Sequence, residues 1–100
     1  MPAFQVTVPH TLGKEPAVEK LKVFLQKIAD RYKDQVSKME GNWVDNVLTF
    51  AMTTYGFTIS GTLTVDDTSA QLAGQLPFAA LAFKGKIEKS IADELKKTLG

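Results

Sequence analysis

Residues 57–65 read Phe-Thr-Ile-Ser-Gly-Thr-Leu-Thr-Val, and their alternation decides the fold. Phe57, Ile59, Leu63 and Val65 fall on one side of a two-residue period, and Thr58, Ser60, Thr62 and Thr64 on the other. Successive side chains of a strand point to opposite faces, so this is a strand with one buried face and one row of small hydroxyls. Gly61 falls on the buried side, where it marks a bend, a bulge or the close approach of a helix.

The same period recurs on both sides of this stretch. From Val36 to Leu76, turn signals at Asp45-Asn46, Thr54-Tyr55-Gly56 and Asp66-Asp67-Thr68 divide the chain into a four-strand meander. Its last strand, Ala70–Leu76, places Leu72, Gly74 and Leu76 on one face. Near the N-terminus, Phe4, Val6 and Val8 alternate with Gln5 and Thr7, a short half-buried strand stopped by Pro9.

Two segments change period. Val18, Leu21, Leu25, Ile28 and Tyr32 recur at three- and four-residue steps, with Ala17, Phe24 and Ala29 widening the stripe. This predicts one amphipathic helix from about Lys14 to Gln35, capped by Thr11 or Gly13, with Pro16 in the first turn where its missing N–H costs little. Phe78 to Leu99 reads as a second helix with Phe83, Ile87, Ile91 and Leu95 at four-residue steps. Gly85 weakens its early turns by about 1 kcal/mol relative to alanine. Its approach, Leu76–Phe83 (LPFAALAF), is apolar on every side and must meet more than one sheet face.

The order β-α-β-β-β-β-α predicts an α+β fold: a curved five-stranded antiparallel sheet, order 1-5-4-3-2, with two helices on one face. That is a reduced helix-grip-like shape, one that often encloses a ligand cavity. With 100 residues, 44% of them hydrophobic, the chain fits a single α+β domain over 1–100. The absence of cysteine excludes a disulfide framework, thiolate zinc sites and thiol nucleophiles.

Charge is informative through its placement. The net charge is +1, and all twelve basic residues lie in 14–38 and 84–97, so positive charge belongs to the helices. No basic patch interleaved with aromatics points to nucleic acid. The N-terminus lacks a basic-then-apolar secretory pattern, and no run approaches the ~20 apolar residues of a transmembrane helix, so a cytoplasmic protein is expected.

His10-Thr-Leu-Gly13, the run Gly56–Val65 and the run Leu81–Glu88 resemble the polyhydroxyalkanoic acid system proteins, small bacterial proteins named for genes beside polyhydroxyalkanoate granule genes. The resemblance covers nearly the whole chain. It implies a role in storage-polyester metabolism or at the granule surface, and it brings no reaction, cofactor or active-site residue with it.

The candidate site residues each have two readings. His10, the only histidine, follows Pro9 at the strand-to-helix junction, where its ring serves the capping turn or, given a partner, acts as a base. One histidine and no cysteine make a metal or other cofactor unexpected. Asp45, Asp66 and Asp67 sit at turns, where aspartate bonds the local backbone. Lys84-Gly85-Lys86 lacks the upstream glycine and following hydroxyl of a phosphate loop.

The charges of the first helix, Arg31 among them, are assigned to solvent with pairs such as Lys27–Asp30, and Glu88, Asp93 and Glu94 dilute the lysines of the second. Trp43, Phe78 and Phe83 are candidates for lining a cavity or an exposed patch, with core packing as the alternative. The row Thr58, Ser60, Thr62 and Thr64 is a wet sheet face or, lacking charge, a homodimer face. The leading expectation is a non-enzymatic binding or association protein for a hydrophobic partner: polyester granule, acyl chain or granule protein. A sheet-face homodimer comes second, and a small acyl-handling enzyme centred on His10 third.

Overall fold

The computed structural model describes residues 3–100. Five strands, β1 (Ala3–Pro9), β2 (Val36–Val44), β3 (Val47–Thr54), β4 (Phe57–Val65) and β5 (Ser69–Gln75), form one antiparallel sheet in the order β1-β5-β4-β3-β2. The alternation in β4 has its expected consequence: Ile59, Leu63 and Val65 are fully buried, while Thr58, Ser60 and Thr62 face outward. Register carries that division across the sheet. Leu63 lies opposite Leu48 of β3 and Leu72 of β5, and Leu72 lies opposite Val6 of β1. One inner face therefore runs from β1 to β3.

Turn chemistry sets the register. The two-residue turns Asp45-Asn46 and Tyr55-Gly56 place Asp45, Tyr55 and Gly56 at φ 54°, 53° and 79°. Such left-handed values match the twist of a tight hairpin. Asn46 fastens the first turn to β4, its Nδ2 donating to Val65 O at 2.8 Å while Val65 N–H donates to Asn46 O at 2.9 Å.

Each of the two expected helical segments is divided, so three α-helices and a 3₁₀ segment accompany the sheet. The stretch 14–35 is not one helix: α1 (Lys14–Leu21) and α2 (Phe24–Arg31) are separated at Lys22-Val23, where Val23 leaves helical geometry at φ −99°, ψ 5°. The apolar stripe crosses the break in phase, with Ala17 and Leu21 buried from α1 and Phe24 and Ile28 from α2. The break lets the pair follow the curved sheet, α1 packing toward β4 and α2 toward β2. Leu25 packs closely over Gly41 of β2, its Cδ1 lying where a side chain at that position would begin.

The C-terminal segment also divides. Phe78–Phe83 forms a 3₁₀ turn, and the α-helix proper, α3, spans Lys84–Leu99. Only Ala80 of the 3₁₀ segment is buried, so little packing holds those residues in a regular α-helix. α3 buries Ile87, Ile91, Leu95 and Leu99 against β1, α1 and α2.

Gly13, one of the two expected caps, is the N-cap residue of α1, and with no side chain of its own it leaves the first N–H groups to another acceptor. Asp67 supplies the missing acceptor from the β4–β5 turn, its Oδ1 accepting from Lys14 N–H at 3.1 Å. Two charge assignments are corrected as well. Arg31, assigned to solvent, instead donates from Nε to Glu94 Oε2 at 2.9 Å and ties α2 to α3, while Glu94, read as diluting the lysines of the second helix, has a side chain only 4% exposed. Asp30 receives Gln26 Nε2 at 2.9 Å rather than Lys27.

Candidate functional site

The space under α3 is mostly filled by its own leucines and isoleucines, but one end stays open. There the last turn of α2, the first turns of α3 and the adjoining ends of β2 and β3 leave a half-open cavity of about 100 Å³. Its walls are Ile28, Val36, Met52, Ile87 and Ile91, all apolar. Its rim carries Tyr32, Gln35, Thr54, Tyr55 and Ser90, with Lys86 the one charged residue lining it. The lining thus offers an apolar pit, several hydrogen-bonding groups and a cation, with no carboxylate.

Lys86 is held in place by an aromatic cluster. Its Nζ lies 5.5 Å from the centre of the Tyr55 ring, and that ring stacks on Phe83 at 5.2 Å and 9° between planes. Phe57 completes the cluster at 6.1 Å from Phe83. A cation over an aromatic face is attracted by the ring quadrupole. Among the described residues Lys86 has no acidic partner at ion-pair distance.

The candidate residues named from the sequence do not converge. Phe83 joins the aromatic cluster; Phe78, five residues earlier in the 3₁₀ segment, is 72% exposed. Trp43 lies near the opposite end of the sheet, paired with Leu48, half-buried against the core and away from the cavity lining. His10 is buried and bonds only to backbone: Leu12 N–H donates to its Nδ1 at 3.2 Å, which leaves Nε2 to donate to Asp66 O at 2.8 Å. No nucleophile or acid side chain shares those bonds.

Thr58, Ser60, Thr62 and Thr64 lie on the outer face, Thr58 bonded across to Thr53 with 3.3 Å between hydroxyl oxygens. Their neighbours in register are Thr49, Ala51, Gln71, Ala73 and Gln75, so the outward face of β3, β4 and β5 carries no charge. Among the described residues no group of three or more His, Cys, Asp or Glu is placed to hold a metal ion. No helix there is long and apolar enough to cross a membrane.

The residues missed from sequence are those of the cavity. Ile28, Ile87 and Ile91 read there as core stripe, and nothing local distinguishes a stripe residue facing a void from one facing a side chain. Tyr55 did carry a signal: it occupies a left-handed turn position, where asparagine or glycine is usual and a bulky residue is an outlier.

Comparison with known proteins bears on both fold and family. The crystal structure of TTHA0849 from Thermus thermophilus superposes with a TM-score of 0.59 at 14% identity, covering 98% of this chain and 94% of that one. At lower similarity stand Ara h 8.0201, with a TM-score of 0.44, 6% identity and coverage of 98% and 97%, and the di-domain ARO/CYC BexL from the BE-7585A biosynthetic pathway. The latter has a TM-score of 0.43 at 12% identity, with 98% of this chain and 44% of that one covered. Among curated proteins none matches in sequence. The likeness to TTHA0849 is one of fold, the helix-grip-like α+β arrangement described above. The family model described as "Putative polyhydroxyalkanoic acid system protein" matches residues 4–99, from the first strand to the last turn of α3, and the chain belongs to that family.

Proposed function

We propose that this chain is a non-enzymatic binding protein that takes a short apolar chain ending in a carboxylate into the cavity between α2, α3 and β3. The observation that carries the reading is the lining itself: five apolar walls, polar groups at the rim, and Lys86 as the lone charge. An apolar cavity of about 150 Å³ admits a benzene-sized guest. A space of about 100 Å³ therefore suits a chain of about four or five carbons. Family membership supplies the chemical context, since hydroxyalkanoic acids are such molecules. In that context the protein works in the cytoplasm, in storage-polyester metabolism or at the granule.

The experiment is calorimetric titration with 3-hydroxyhexanoate, hexanoate and hexanol. Both carboxylates bind saturably and more tightly than hexanol, and Lys86→Met reduces that preference by about three- to fivefold, the worth of one exposed ion pair. Absence of saturable heat for all three compounds overturns the reading.

A second reading is favoured by a different observation, the charge-free outward face of β3, β4 and β5. Charged side chains are the usual protection of a sheet against association, and that face has none. It would pair two copies as a homodimer. Sedimentation at micromolar concentration tests it, with Ser60→Lys expected to leave only monomer; a wild-type monomer at all concentrations removes it.

A further inference from the structure

Of the five large exposed apolar side chains among the described residues, Val23 and Val44 stand apart and the other three gather at one end of the molecule. Phe78 is 72% exposed, Leu81 45% and Tyr55 40%, and Ala79 and Ala82 beside them are also exposed. Tyr55 and the 3₁₀ segment adjoin through the Tyr55–Phe83 stack, so these residues form one tip. In sequence the apolar residues are followed by Lys84 and Lys86, and residues 55–57 and 76–87 include no acid; the adjoining 32–36 loop, whose Gln35 O accepts from Tyr55 N–H, adds exposed Lys33 and Asp34. Glu88, the next charge along, is half-buried.

Tyr55 shows that the tip is maintained at a cost. Its left-handed φ of 53° carries a steric penalty that asparagine or glycine would avoid. Strain of this kind persists where the side chain has another use. Among the groups packed there, that use is to hold an amphipathic ring beside Phe83 and under the Lys86 ammonium.

We infer that this tip is an interfacial anchor whose partner is an anionic lipid surface. Aromatic and aliphatic side chains at the front suit insertion among acyl chains, and a tyrosine suits the boundary with headgroups. Lys33, Lys84 and Lys86 outnumber Asp34, the one exposed acid of the adjoining loop, so the net charge there favours headgroup phosphates. The inference shares Tyr55 and Lys86 with the cavity, whereas Phe78 and Leu81 do not line it, so the Phe78 and Leu81 variants separate the two readings.

Co-sedimentation tests it, using vesicles of phosphatidylcholine alone, vesicles of phosphatidylcholine with phosphatidylglycerol, and uncoated polyhydroxybutyrate particles. The protein partitions onto the anionic vesicles at least about tenfold more strongly than onto neutral ones, and added salt weakens the binding. Phe78→Ser with Leu81→Ser abolishes it while leaving carboxylate binding in the cavity intact. Lys84→Gln with Lys86→Gln lowers it by up to about 30-fold, about fivefold for each cation at the surface. Tyr55→Asn suits the turn, so it leaves the melting temperature unchanged or raised while vesicle binding falls. Equal binding to neutral and anionic vesicles, binding to bare polyester without binding to vesicles, or wild-type binding by the Phe78/Leu81 variant overturns the inference.

Discussion

Gly61 and Gly74 face each other across β4 and β5 at a spacing that excludes any side chain on either. A methyl group on Gly61 would enter the backbone of β5 at Ala73, and one on Gly74 would stand 2.6 Å from Ser60 O and 2.7 Å from the Phe4 ring. The ring of Phe4, buried at 3% exposure, covers the gap. β4 and β5 thus approach where neither strand presents a side chain to the inner face.

Gly61→Ala is accordingly a severe substitution although it adds one carbon. The obstacle is backbone, which has no rotamer to yield, so a loss of about 3 kcal/mol or more is expected. Thermal or urea unfolding measures it. Gly85→Ala, at an open helix position, is the control and raises stability by up to about 1 kcal/mol.

Arg31 and Glu94 give a second prediction. Removing the guanidinium leaves a buried carboxylate unpaired, which costs more than the ion pair itself contributes. Because the Arg31 side chain remains 46% exposed, about 2 kcal/mol is expected for Arg31→Ala, below the range for fully buried pairs. The double variant Arg31→Ala/Glu94→Gln recovers part of it, and unfolding of the three proteins measures both effects.

The pH dependence of one surface pair follows from its geometry. Lys89 donates to Asp93 Oδ2 at 3.0 Å, and this hydrogen bond holds the Asp93 carboxyl below its ordinary range. The folded state therefore binds the Asp93 proton less readily than the unfolded chain. The associated stabilisation is present above the unfolded value and is lost as pH falls through the lowered folded one. Carboxyl-resolved NMR titration should show the Asp93 midpoint move upward in Lys89→Ala.

Much of the fold was legible because sheet and helix periods are local. The alternation in 57–65, the hairpin turns at Asp45-Asn46 and Tyr55-Gly56, and the strand order all follow from patterns a few residues long. The break at Val23 was not legible, because Leu21 and Phe24 keep the stripe in phase through it. The burial of Glu94 was hidden for another reason: its partner Arg31 is far away in sequence, and a carboxylate on a lysine-rich helix looks solvated. The cavity belongs to the same class, since Ile28, Met52 and Ile91 come from three separate elements and only their assembly leaves the space empty. Phe78 is the intermediate case: the apolar excess of LPFAALAF made an exposed patch one reading and core packing the other, and only the assembled fold leaves Phe78 in the open.

The Met52 methyl group offers the most direct report on the cavity, because Met52 forms part of its wall. With methyl-labelled methionine, titration of 3-hydroxyhexanoate should move the Met52 resonance saturably, and Ile91→Phe, which fills the space, should abolish the movement. A Met52 resonance that stays fixed at millimolar ligand in the wild-type protein would contradict the proposal that this space receives an acyl chain.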